Sequence, residues 1–298
     1  MTQSDYSPTA IQEEAVVIDQ QPVAHLTYRL RLEAPRMAGK ARCGQFLMLQ
    51  VRDGLEPLLR RPLSFHRILP EEGAVELLYR VMGRGTWLLS RTAPGMRLSL
   101  LGPLGNGFIL PQDLGRPVAV VAGGIGIAPL MELLARLDTQ RRERGLSGRT
   151  AHLFYGARTA AELLPDEAFS GLDIALHRST DDGTAGFSGR VTQLLKETAE
   201  ALSLPFQELF ACGPLAMQYH VAQWAAAQGI SAQLSLESLM ACGLGACLGC
   251  ALPAPSPHEP GADHYAHVCK DGPIFKGDAI LWHKIRQPHM PHPTFLYS

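Results

Sequence analysis

The 298-residue sequence has no uninterrupted apolar run of the roughly 18–20 residues that a membrane-spanning helix needs. Its opening, MTQSDYSPTAIQEEA, lacks a basic stretch followed by an apolar one, so no export signal and a cytoplasmic setting are expected. An excess of one charge is missing too. The 27 basic residues stand against 28 acidic ones, net −1, which excludes a global field for nucleic acid. The basic cluster Arg141, Arg142 and Arg144 is interrupted by Glu143 at the end of a predicted helix and reads as a solvated face. No internal repeat of solenoid length is present. Cysteine is scarce at six residues, and structural disulfides are rare in the cytosol. Yet four of the six lie close together, at Cys242, Cys247, Cys250 and Cys269.

What is present divides the chain by texture. Residues 11–112 carry short apolar or alternating runs broken by Gly and Pro, such as QFLMLQVRDG and VELLYRVMGRG, which predict antiparallel strands closing a small β-barrel. Strands are expected at 45–51 and 75–81, a short helix at 87–91, and a loop at GPLGNGF. Residues 113–232 alternate apolar strands with helical stretches. PVAVVAGG precedes IAPLMELLARLDTQRRERG, and QELFACGP precedes LAMQYHVAQWAAAQG, which predicts a central α/β domain with a parallel sheet. Residues 233–286 form a small, loop-rich, Cys-rich C-terminal domain, with terminal tails at 1–10 and 287–298. The fold class expected is therefore multi-domain.

Three motifs in the first region carry chemistry. Arg61-Pro62-Leu63-Ser64 offers a planar fork of donors for a phosphate and a hydroxyl nearby. Leu78-Tyr79-Arg80 lies on a predicted strand, and Gly83, Gly85 and Thr86 form a predicted turn before a helix. GPLG closes the region. In this order the motifs resemble the flavin-binding barrel of the ferredoxin-reductase family. The resemblance implies FAD, with Ser64 near the isoalloxazine and Arg61, Gly85 and Thr86 near the pyrophosphate. Farther on, Gly123, Gly124 and Gly126 form a turn between strand and helix. This turn departs from G-x-G-x-x-G, with Pro129 in the place of the last glycine. Cys212-Gly213-Pro214 ends a strand, where open parallel sheets take ligands. A similar turn in that family stands beside the nicotinamide, which implies NAD(H) as substrate here. A buried small residue is the plain alternative for Cys212, and Cys43 reads as structural.

The spacing C-x4-C-x2-C-x18-C matches plant-type [2Fe–2S] ligation better than the paired hooks of structural zinc; disulfides fit least. Gly243, Gly245 and Gly249 are expected to let the backbone curl around the cluster. His258, His264 and His267, in a Pro-rich gap expected to be an exposed loop, read as surface residues. The order of modules, with SLESLMACGLGACLGC and HVCKDGPIFKGDAI, resembles the electron-transfer subunits of type 1B dihydroorotate dehydrogenase from about residue 11 to 286. The gap before Cys269 and the His/Pro-rich tail depart from that pattern. The resemblance implies an oxidoreductase subunit of pyrimidine biosynthesis that passes electrons between an FMN-containing catalytic subunit and NAD through [2Fe–2S] and FAD. The assembly implied is a heterotetramer without nucleic acid or membrane. No residue suggests an acid–base catalyst for a dihydropyrimidine. Two alternatives stand beside this one: a diaphorase subunit of a hydrogenase or transhydrogenase, and a zinc-stapled interaction module without redox function.

Overall fold

The computed structural model describes residues 10–256, 259 and 262–285. Six strands form a closed barrel: β1 (Ile11–Ala24), β2 (Thr27–Glu33), β3 (Phe46–Gln50), β4 (Arg61–Leu69), β5 (Ala74–Arg80) and β6 (Arg97–Leu104). They run in the order β1-β2-β5-β4-β3-β6, every pair antiparallel, and β6 returns to β1. Two short helices, α1 (Pro35–Ala38) and α2 (Arg84–Leu89), fill connections. Alternation decides which side chains face inward. In β2, Leu30 and Leu32 are fully buried while Arg29 and Arg31 point away, and Leu47, Leu49, Phe65, Leu77 and Leu100 complete the interior. Strand β3 does not alternate. Phe46 and Met48, on its outer face, belong to a second core shared with Leu236, Cys250 and Val268 of the C-terminal segment.

The second body is a seven-stranded sheet. Its strands are β7 (Val118–Gly123), β8 (Ala151–Ala157), β9 (Ile174–Thr180), β10 (Phe187–Ser188), β11 (Glu208–Cys212) and β12 (Ser231–Ser235), joined by helices α3 (Ile127–Glu143), α4 (Val191–Ala201) and α5 (Leu215–Ala227). The C-terminal segment adds the hairpin β13 (Ala251–Pro255) and β14 (Asp263–His267), then β15 (Ile274–Lys276). The sheet order is β10-β9-β8-β7-β11-β12-β15. All neighbours are parallel except β15, which runs antiparallel to β12. The sheet thus continues past residue 232 to Ser235 and takes its last strand from beyond Cys269.

Barrel and sheet are joined by polar contacts as well as apolar ones. His66 Nδ1 donates to the Ala128 carbonyl at 3.1 Å, and burial lowers the imidazole pKa to about 4, so the ring is neutral. The buried Glu132 of α3 accepts from the Ile68 amide at 3.0 Å and pairs with Arg136 and Arg67. Arg80 of β5 reaches Glu162 at 2.7 Å, and Arg158 binds the same carboxylate at 2.7 Å.

Several local expectations change. The short helix is Arg84–Leu89 rather than 87–91, so Gly85 and Thr86 lie in its first turn. Thr86 Oγ1 accepts from the Met82 and Gly83 amides, at 2.9 and 3.2 Å, and starts the helix early. GPLGNGF is not all loop. Barrel closure draws Gly102 into register with Ile11 and Leu104 with Phe46. The x18 gap is largely the hairpin β13–β14, with Pro253 and Pro255 on a two-stranded ribbon where one edge needs no donors. The arginine cluster is a solvated face only in part: Arg142 and Arg144 are exposed, as expected, but Arg141 is not. Arg141 is buried and donates to the carbonyls of Leu114, Ser147 and Gly148, while Arg142 and Arg144 hold Gly171 and Gln112. Among the described residues no helix is long and apolar enough to cross a membrane. His258 and the 287–298 tail lie outside the described residues.

Candidate functional site

The RPLS motif opens β4, and its ladder with β3 sets Ser64 opposite Phe46 and Pro62 opposite Met48. Proline is tolerated there because it stands at the strand's start. The Arg61 guanidinium lies directly over Gly85 of α2, where an added Cβ would strike Nε, Nη2 and Cζ. A side chain at 85 would have to push the guanidinium aside. Ser64 is half-buried, and its hydroxyl has no hydrogen-bond partner among the described residues. Arg61, Ser64, Gly85 and Thr86 are therefore on neighbouring elements.

Leu78, Tyr79 and Arg80 turn elsewhere. Tyr79 points into the barrel, donates its hydroxyl to Gln20 Oε1 at 2.8 Å and stacks on Tyr28. Burial raises its phenol far above the ordinary value. Leu78 packs against the core of the parallel sheet, and Arg80 is spent on Glu162. Period-two alternation puts 78 and 80 on the outer face and 79 inside.

The glycine turn after β7 and the Cys-Gly-Pro turn after β11 lie against each other. A Cβ at Gly126 would strike the Cys212 carbonyl, and one at Gly213 would come within 2.9 Å of Gly123 Cα. Both turns sit at carboxyl ends of adjacent parallel strands. His66, two residues past Ser64, touches Ala128, two residues past Gly126, so this strand end meets the RPLS strand. Cys212 is buried; burial pushes its thiol up and the Glu237 carboxylate adds to the push. Burial likewise raises Glu237, which is nonetheless reached by solvent. Sequence reasoning passed over Glu237 and Gln218. Glu237 follows β12 at the carboxyl end of a parallel strand, a position that could have flagged it. Gln218 has no such signal. Its Nε2 donates to the Gly213 and Ser235 carbonyls, at 2.9 and 3.0 Å, and ties the ends of β11 and β12 together.

The cysteine loop packs on the barrel. A Cβ at Gly243 would lie 2.5 Å from Met48 Cγ. The backbone is left-handed at Gly243, Gly245 and Leu248 but not at Gly249, so the curl differs by one residue from the expectation. Backbone amides point at sulfur: Leu244 and Cys247 donate to Cys242 Sγ at 3.3 and 3.4 Å, and Gly245 to Cys269 Sγ at 3.1 Å. For Cys242, burial works upward but these amides outweigh it, and its pKa falls to about 7. Cys269 is pushed up to about 12 by burial and by Cys250. The sulfurs of Cys250 and Cys269 are 3.2 Å apart, while Cys242 and Cys247 are hydrogen-bonded neighbours. Two thiol pairs suit two irons. Among the described residues, no three His, Cys, Asp or Glu side chains are grouped to hold one ion. None of the six cysteines is in a disulfide. His264 is exposed, and His267 lies 3.7 Å from Asp271.

A flavin-type barrel, a parallel sheet with stacked turns at its carboxyl ends and a four-cysteine loop define an oxidoreductase of the ferredoxin-reductase fold with an iron–sulfur segment. The comparisons agree. Residues 120–223 match the oxidoreductase NAD-binding domain, and residues 237–281 match the iron–sulfur cluster binding domain of dihydroorotate dehydrogenase B. Over 269 residues the chain is 36% identical to the dihydroorotate dehydrogenase B (NAD(+)) electron transfer subunit of Desulforamulus reducens, covering 90% of this chain and 98% of that one. The subunit of the same name from Bacillus caldolyticus is 38% identical over 272 residues, with the same coverage. The chain belongs to the family of dihydroorotate dehydrogenase B electron transfer subunits. Among solved structures, an NADH-dependent reduced ferredoxin–NADP oxidoreductase matches with TM-score 0.74 and 26% identity over 90% of each chain. A ferredoxin–NADP+ reductase from Neisseria gonorrhoeae, with bound FAD and NADP, shares the fold at TM-score 0.60 and 19% identity, covering 73% of this chain and 92% of that one.

Proposed function

We propose that this subunit carries electrons between an FMN-containing dihydroorotate dehydrogenase catalytic subunit and NAD, in a heterotetramer of the cytoplasm that serves pyrimidine biosynthesis. The observation that carries the reading is the cysteine loop. Its four thiols stand as two pairs and its amides aim at sulfur, on a barrel whose phosphate-type arginine lies across a glycine. Bound flavin exchanges electrons in pairs with nicotinamide and singly with an iron–sulfur cluster, which is the chemistry such an intermediary requires.

The chain's own residues hold and orient. Arg61, with the Gly85 and Thr86 backbone, would grip the FAD pyrophosphate, and Ser64 would offer its hydroxyl to the ring. Pro62 and Leu63 set the strand, while Leu78, Tyr79 and Arg80 contribute backbone rather than side chains. Gly123, Gly124, Gly126, Cys212, Gly213 and Pro214 would form the nicotinamide slot, with Glu237 at its margin. Cys242, Cys247, Cys250 and Cys269 would ligate the cluster. The parts divide as a flavin barrel at 11–112, a nucleotide domain from 113 whose sheet runs through β12 to Ser235, and a cluster segment after it that lends β15 back to that sheet. The exposed side chains of Leu239, Leu244 and Leu248 lie in or beside the cysteine loop in sequence and would offer the catalytic subunit an apolar docking face.

The test is anaerobic copurification followed by a dihydroorotate:NAD assay. Dihydroorotate-dependent NAD reduction by the complex is the expected result. Reduction driven by hydrogen or ferredoxin alone would instead point to the alternative reading, a diaphorase subunit of a hydrogenase or transhydrogenase. Leu244→Asp with Leu248→Asp is expected to abolish copurification while leaving NADH:ferricyanide activity intact.

A further inference from the structure

We propose that Asn106 is a positioning residue that latches the cysteine segment to the flavin barrel and so fixes the separation between flavin and cluster. The inference rests on the electron path above and assigns a part of it to a residue in neither binding site. Asn106 stands two residues past the end of β6, in the GPLGNG stretch. It makes four hydrogen bonds to one short segment. Its amide donates to the Gly272 carbonyl at 2.7 Å, and Nδ2 donates to the Asp271 and Ile274 carbonyls at 3.0 and 2.9 Å. Its Oδ1 accepts from the Ile274 amide at 2.9 Å. Both polar atoms of the side chain are engaged, and the segment it holds begins two residues after Cys269.

The neighbours leave no slack. A Cβ at Gly105 would stand 2.5 Å from Pro273 Cδ and 2.6 Å from the Gly272 carbonyl, so the two backbones are pressed together. The Gly105 carbonyl accepts from Gln45 Nε2 at 2.7 Å, and the next residue, Phe46, is the ladder partner of Ser64. A chain of short links therefore runs from Ser64, through Phe46, Gln45, Gly105 and Asn106, to the segment beside Cys269. The barrel does not need this latch for its own ladder, which ends at Leu104. Electron tunnelling falls steeply with distance, so slack at this joint acts on the flavin–cluster step and not on the hydride step. An amide is suited to the place because it donates and accepts at once. Aspartate has the same shape but would face two carbonyls with a negative oxygen.

The experiment compares wild-type holoprotein with Asn106→Ala and the isosteric Asn106→Asp. In both variants, amide hydrogen exchange across 271–274 is expected to rise about tenfold, the effect of removing a side-chain hydrogen bond from a local opening equilibrium. In anaerobic stopped-flow with NADH, flavin reduction is expected to keep its wild-type rate, while cluster reduction slows on the order of tenfold. The reduced-cluster EPR signal is expected to keep its intensity, which shows that the cluster is still loaded. Unchanged exchange or an unchanged cluster step overturns the proposal. So does loss of FAD or equal slowing of both steps in both variants, because the residue would then be a general support of the barrel. Should NADH fail to reduce the wild-type cluster at all, the electron path itself is wrong, and the exchange data still judge the latch.

Discussion

Arg61 and Gly85 show how much rests on single side chains. The guanidinium occupies the space that a β-carbon at Gly85 would need. Gly85→Ala is expected to displace it and weaken FAD binding about ten- to hundredfold, since a hydrogen bond to a charged group contributes about 1.5–3 kcal/mol. Flavin-fluorescence titration of the apoprotein measures this. Tyr79→Phe makes the opposite case. It loses one hydrogen bond to Gln20 inside the barrel. It is expected to cost about 1 kcal/mol in urea unfolding and leave FAD affinity unchanged. Sequence spacing named Arg61, Ser64, Gly85 and the four cysteines, because their chemistry is tied to residue type. It could not tell that Tyr79 faces inward or that Arg80 is taken by Glu162, because both depend on barrel closure and on a partner 82 residues away. Gln218 escaped for the same reason, since only the sheet brings it to Gly213, whereas Glu237 stood at a strand end that could have flagged it.

Among the elements, the strand expected at 45–51 forms as β3. FLMLQ lacks polar alternation because the barrel covers one face and the cysteine segment the other. The β-α alternation of the second body was equally legible. Boundaries were less so: Thr86 starts its helix early, and pairing with β1 and β3 draws GPL into β6. The hairpin β13–β14 was hidden by its prolines. In the cysteine loop the two thiol pairs are unequal, Cys250 and Cys269 being buried and Cys247 exposed. Cys269→Ser is expected to remove the cluster absorption and its EPR signal. NADH:ferricyanide activity through the flavin is expected to remain within about twofold, because the turns proposed for the nicotinamide lie on other strands.

On the scale of the whole molecule, Glu162 joins the two bodies. Burial alone would raise its carboxyl, but the hydrogen bonds from Arg80 and Arg158 outweigh it and take the pKa down to about 2 from an ordinary 4.5. A carboxyl depressed on folding stabilises the protein above its unfolded pKa, and that contribution disappears as pH falls from about 4.5 towards 2. Glu162→Gln is expected to cost roughly 1–3 kcal/mol at neutral pH and to flatten the acid limb of a plot of Tm against pH. Finally, β15 has a consequence for how the module can work. A segment whose last strand is stitched into a neighbour's sheet cannot travel on a tether as a carrier arm does. The cysteine segment is thereby fixed in place, like a soldered component rather than a moving contact. Turnover within this subunit is therefore expected to be indifferent to solvent viscosity, and sucrose or glycerol in the stopped-flow buffer is expected to slow only the encounter with NADH.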